Sequence, residues 1–310
     1  MKNTYILGIF LALGAAILNG SVGIMSKGLF VSNLTPTAVS FYKCLIALIA
    51  LSMFFLFHSD FRKQVIRLKK HVKAIALCSF LGIFVLYYFE TTAYHYAVVP
   101  FVVFMLLGSA VFTTFIFSSI LLKERKNTLK FVGLFLLIIG LSVMAIAEGA
   151  ASGQISLGAI LACVAGVGYG LFLVLTKKFS LTGGLALIWY LMLFGVFYLS
   201  IPFYVEGFTV PEVNTYPTLL ALAIFPTIGG FYCTTKALQY LEANKVQFLE
   251  LTEPIFATVF AFIILRETVQ GIEWLGSFLI LIAIYISEYS PQEKKQVEAW
   301  KDRLWKQKAK

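Results

Sequence analysis

Three features of the sequence predict an all-α integral membrane protein: about ten transmembrane helices in two inverted five-helix repeats, with both termini cytoplasmic. The 310-residue chain is 60% hydrophobic and only 13% charged, where a soluble protein carries about 25% charged residues. Its apolar residues gather into runs of bilayer length. Its basic residues gather in alternate connections between those runs. A net charge of +10 would suit a nucleic-acid partner if it lay on one polar face. Here it is spread over short loops, which points to membrane topology and to no nucleic-acid partner.

Hydropathy places the spans at roughly 4–26, 36–57, 73–94, 98–121 and 129–147 in the first half of the chain. In the second half they fall at 157–176, 184–205, 217–240, 246–265 and 271–288. The first run is too long for a signal-peptide core and is taken as a span. Between spans two and three lie Arg62, Lys63, Arg67, Lys69, Lys70 and Lys73, and Lys123, Arg125, Lys126 and Lys130 follow span four. Lys177, Lys178, Lys245, Lys2 and the basic tail fall on the same side. Of the 25 Lys and Arg residues, Lys27 and Arg266 alone fall in opposite loops, and Lys43 and Lys236 within spans. The positive-inside rule then makes both termini cytoplasmic.

The polar stretch from Glu148 to Gln154 divides two similar halves. Glu124 to Gly133 (ERKNTLKFVG) and Glu267 to Gly276 (ETVQGIEWLG) share a spacing, and each joins the last two spans of its half. Thr91 and Thr92 match Thr234 and Thr235. Gly8, Gly20 and Lys27 match Gly158, Gly170 and Lys177. An odd number of spans per repeat inserts the second copy upside down, the arrangement of transporters that place a site between inverted repeats. The chain thus divides into a first repeat (1–147), an extracytoplasmic linker (148–156), a second repeat (157–290) and a cytoplasmic tail (291–310). In the tail, Val297, Trp300 and Leu304 share one helical face among lysines. That pattern reads either as an amphipathic helix on anionic lipid of the cytoplasmic leaflet or as a solvated basic tail.

Span nine carries Glu250, Glu253 and Pro254. Pro254 cannot donate to the carbonyl of Glu250, so a helix break opens beside two carboxylates that share a face. Such a break persists in a bilayer only where protein or a water-filled cavity covers it. An ionisable side chain at this depth is a functional candidate. The other deep charges are Lys43, Glu90 and Lys236. At helical rise Lys43 and Glu90 lie about 10 Å and about 6 Å below one face, and Lys236 and Glu250 each lie about 6 Å from the other. Matching depths suggest two ion pairs, Lys43–Glu90 and Lys236–Glu250, and leave Glu253 without a partner. Lys236–Glu250 reads as a gate or as a static clamp, with a snorkelling Lys236 as a third reading. Glu253 reads as the site of a proton or substrate cation, or as a cap for the helix that restarts at Pro254. Tyr87 and Tyr94 flank Glu90, Tyr232 lies one turn before Lys236, and Asn19 and Tyr169 occupy matching places before glycines in spans one and six. Rings, hydroxyls and amides of this kind can line a cavity for an amphipathic solute, though most aromatic side chains simply pack. Gly14, Gly20, Gly23, Gly166, Gly168 and Gly170 favour close helix approach.

The segments Leu251-Thr252-Glu253-Pro254-Ile255 and Leu265-Arg266-Glu267, with Gly276, resemble the drug/metabolite transporter superfamily, specifically its EamA-like branch. Leu121-Leu122-Lys123-Glu124 with Gly133 is the first-half counterpart. The likeness extends to about Ser290, with one departure: Val111 stands where Pro254 would correspond. It implies two inverted five-helix repeats in a bacterial inner membrane and export of amino acids or other metabolites, with uptake in some members. Two lysines against three carboxylates favour a zwitterionic or cationic solute. A lipid flippase is the alternative. Cys44, Cys78, Cys163 and Cys233 lie in apolar runs without metal spacing, and no nucleophile elbow or phosphate loop occurs, so neither an enzyme nor a cofactor is expected.

Overall fold

A computed structural model describes residues 2–123, 128–152, 157–181, 184–267 and 271–288. Every regular element in this part is helical. The tail 291–310, Glu124 and residues 153–156 of the linker lie outside the described residues. Eight stretches are long and apolar enough to cross a bilayer, and two shorter apolar helices, Phe131–Ile146 and Trp274–Ala283, accompany them.

The first run divides into α1 (Lys2–Asn19) and α2 (Val22–Val31). Gly20 lies at the break, where a Cβ would meet Phe256 and the Ala257 backbone at 3.0–3.1 Å. Helix α3 (Pro36–Phe57) starts on Thr35, whose hydroxyl accepts from the Ala38 N–H at 3.2 Å, with Pro36 in the first turn. The basic stretch that follows is not a bare loop. It forms α4 (Ser59–Leu68), which buries Phe61, Val65 and Leu68 against the bundle and leaves Arg62, Lys63 and Arg67 exposed. That i, i+4, i+7 spacing explains the helix.

Span three begins as α5 (Val72–Ser79), widens into a π-helical segment at Phe80–Val85, and continues as α6 (Leu86–Tyr96). Span eight repeats the pattern: α11 (Tyr216–Leu222), a π segment at Ala223–Gly230, then α12 (Phe231–Tyr240). Pro226 explains the second bulge. It has no N–H for the Leu222 carbonyl, and the Thr227 hydroxyl supplies that bond at 2.8 Å. Span nine breaks at Leu251–Thr252 into α13 (Ala243–Glu250) and α14 (Glu253–Phe260), then ends in a π segment at Ala261–Leu265. The matching helix of the first half, α7 (Val99–Leu121), is continuous. Helix α8 (Thr128–Ser152) runs five residues past the expected end of its span.

Helix α7 is the buried centre. It packs against α9 (Leu157–Lys178), α13 and α14. A Cβ on Gly166 would fall 2.0 Å from the Leu106 carbonyl, and one on Gly170 would fall 2.6 Å from that of Ala110, so glycine lets the α7 and α9 backbones touch. The other contacts come in matched sets. α9 packs on α6 and the π segment 80–85, while α1 packs on α12 and the π segment 223–230. Helix α3 lies along α10 (Leu185–Glu206), and α8 along α15 (Glu273–Glu288).

Candidate functional site

The two half-helix junctions, the start of α6 and the π segment 223–230 converge on one cavity. Its wall includes Asn19 and Val22 from span one, Lys43 from α3, and Leu86, Tyr87 and Glu90 from α6. Leu106 and Leu107 of α7, Tyr169 of α9, Pro226, Thr227 and Phe231 of span eight, and Glu253 complete it. In this conformation it offers about 30 Å³ to the centres of water-sized guests, room for a few waters at most. Six of the residues singled out from sequence therefore meet: Asn19, Lys43, Tyr87, Glu90, Tyr169 and Glu253.

Lys43 is positioned by its neighbours. The Ser40 hydroxyl donates to the Tyr87 carbonyl at 2.9 Å, which locks α3 against α6. The Lys43 side chain is fully buried, and its Nζ lies 3.6 Å from the centroid of the Tyr87 ring. That is a cation–π contact. The expected Lys43–Glu90 ion pair does not form. Glu90 instead accepts from the Tyr94 hydroxyl at 3.1 Å, one turn along α6. Tyr87 occupies the face that Glu90 would need to share with the lysine. Tyr94 stands behind Glu90, outside the wall.

The expected Lys236–Glu250 pair is absent as well. Glu250 is fully buried and accepts from the Tyr169 hydroxyl at 2.7 Å and the Thr234 hydroxyl at 2.5 Å. Thr234 and Lys236 are two residues apart on α12, about 200° around the helix, so facing Thr234 toward Glu250 turns Lys236 away. Lys236 lies half-buried beside Gly184 at the start of α10. Tyr232 is half-buried and does not reach the wall. Glu250 acts on the cavity through Tyr169, which lines it.

Glu253 opens α14 and is 5% exposed, its carboxylate facing the cavity beside Asn19. Among the described residues it takes part in no ion pair. Pro254 sits in the first turn of α14, where a missing N–H costs nothing, and its carbonyl accepts from the Thr258 hydroxyl at 2.7 Å. Sequence reasoning missed Thr227 and Phe231, although Pro226 within an apolar span signalled a break in their helix.

Each end of the bundle carries a tie. At one end Lys27 pairs with Glu267 at 2.5 Å, and the other Glu267 oxygen accepts from the Val99 N–H at 2.9 Å. One carboxylate thus joins α2, the start of α7 and the end of span nine. At the other end Lys177 donates to the Leu241 carbonyl, in the turn between α12 and α13.

The pattern of the EamA-like transporter family matches residues 6–146 and again 156–289. An uncharacterized transporter of Clostridium kluyveri is 28% identical over 228 residues, covering 71% of this chain and 73% of that protein. A "probable amino-acid metabolite efflux pump" of Escherichia coli K12 is 24% identical over 208 residues, covering 63% and 69% respectively. A solved crystal structure superposes with a TM-score of 0.67 at 14% identity, over 91% of this chain and 96% of that one, and shares the fold. Two successive matches spanning nearly the whole chain, over the broken helix and the cavity just described, make this protein a member of the EamA-like transporter family.

Proposed function

We propose that this protein is a secondary transporter that moves a small zwitterionic or cationic metabolite, of amino-acid or amine type, across a bacterial inner membrane by alternating access. In this reading all ten apolar helices cross the bilayer, the two repeats are inverted, and both termini are cytoplasmic. The observation that carries it is Glu253: a buried carboxylate without an ion pair, at a helix break, facing a cavity between the repeats. The name of the Escherichia coli relative supports the solute class. Lys27–Glu267 then ties the outer end and Lys177–Leu241 the inner end, and release of one at a time would expose the cavity to alternate sides.

Glu253 carries a proton or the cationic group of the solute. It shares its surroundings with Glu90, Glu250, Lys43, Tyr94 and Tyr169, so its charge depends on theirs. In proteoliposomes, Glu253→Gln is expected to lower flux of a bound solute at least tenfold and to flatten its dependence on pH. A variant with normal rate and an unchanged pH profile would remove Glu253 from this role. Solutes are found first by thermal shift with amino acids, amines and choline-like cations at two pH values. Stabilisation by lipids alone would favour a flippase.

A further inference from the structure

Among the described wall residues Lys43 is the cation, it is fully buried, and its Nζ has no hydrogen-bond partner. An ammonium carries three donors. The Tyr87 face at 3.6 Å attracts its charge but accepts no conventional hydrogen bond. Glu90, the acid whose field it feels, is outside ion-pair distance and is held by Tyr94. A buried cation left in this state is stabilised by a ligand that brings the missing oxygens.

We infer that Lys43 is the anchor for a carboxylate of the transported solute, held over the Tyr87 ring by the Ser40–Tyr87 bond. The inference rests on the transport reading above and narrows it. An amine or quaternary cation without an acid group would satisfy Glu253 and leave Lys43 bare. A solute bearing both groups satisfies both. Leu86, Leu106, Leu107 and Phe231 supply the apolar wall for the rest of it.

The test uses the full-length purified protein and matched sets of ligands: leucine, phenylalanine and threonine, the C-terminal amide of each, and the N-acetyl derivative of each. Putrescine and choline serve as plain cations. The amide keeps the amine and lacks the carboxylate. In the wild type the amide is expected to bind at least tenfold more weakly than the acid. Lys43→Met should bring the acid-to-amide ratio close to one, and Lys43→Arg should restore much of it. Glu253→Gln should leave that ratio in place while reducing discrimination against the N-acetyl form.

The wild-type ratio is decisive even if Lys43→Met folds poorly. An amide that binds as tightly as its acid overturns the assignment, as does a ratio that survives in Lys43→Met. Binding and flux of putrescine or choline alone would overturn the Lys43 role and leave the transport reading standing. Neither binding nor flux with any of these solutes would overturn both.

Discussion

A carboxylate held by two hydroxyls behaves differently from one that faces a cavity beside a single amide, and Glu250 and Glu253 show both cases three residues apart. Glu250 receives hydrogen bonds from Tyr169 and Thr234 and is fully buried. Hydrogen bonds to a charged group contribute about 1.5–3 kcal/mol each. Tyr169→Phe should therefore lower the unfolding free energy by an amount in that range, seen as a fall in the thermal midpoint, and in a Glu250→Gln background the same change should cost about half as much or less. Equal losses in both backgrounds, measured by thermal unfolding in detergent, would mean that Tyr169 acts through packing alone. At this scale the sequence disclosed which side chains matter better than it disclosed their partners. Matching places in the two repeats singled out Asn19 and Tyr169 for the cavity, and a charge deep within a span singled out Glu253. Partner choice depends on which way a helix is rotated, and it went otherwise for Lys43 and Lys236. Tyr87 intercepts the first, and the opposed faces of Thr234 and Lys236 exclude the second.

Among the elements, the half-helix α2 and the end of span nine are joined by Lys27–Glu267, with side chains 20% and 17% exposed. A partly exposed pair contributes about 0.2–1 kcal/mol, enough to shift a closed-to-open balance up to roughly fivefold. In a variant with its four cysteines replaced by serine and a single cysteine at Val22, Glu267→Gln should raise labelling by an impermeant maleimide from the outside by two- to fivefold. An unchanged labelling rate would exclude the tie from gating. The Glu267 contact with the Val99 N–H survives in this variant, since an amide oxygen also accepts, so the effect isolates the charge. The limits of the apolar helices were largely legible from hydropathy, because apolar length is written directly into the chain. The π segments were not. At 223–230, Pro226 was a signal left unused, and the Thr227 rescue of the Leu222 carbonyl arises only once the backbone has widened. At 80–85 there is no proline to announce the widening. Helix α4 was hidden for a different reason: its charge dominated the composition and masked the Phe61, Val65 and Leu68 stripe.

For the whole molecule, the matched contacts of α6 with α9 and of α12 with α1 accord with two repeats exchanged by a pseudo-two-fold axis. If the repeats are inverted in the bilayer, cysteines at exposed Lys63 and exposed Glu212 should label from opposite sides in intact spheroplasts. Only the latter should react with an impermeant reagent added outside. Labelling of both from one side would reject the proposed topology. The same overall view shows where the symmetry stops. Span nine is broken at Leu251–Thr252, and α7, its counterpart, runs unbroken through Val111. Under the proposed alternating access, a joint confined to one half would make the two end states differ in energy. For a carrier built this way, half-saturation concentrations measured from the two faces would be unequal even without any driving ion. The maximal rates would have to differ in compensation, since an uncoupled carrier leaves the final concentrations equal. The proline would thereby set how the protein responds to scarcity on each side, while leaving the end point of transport untouched.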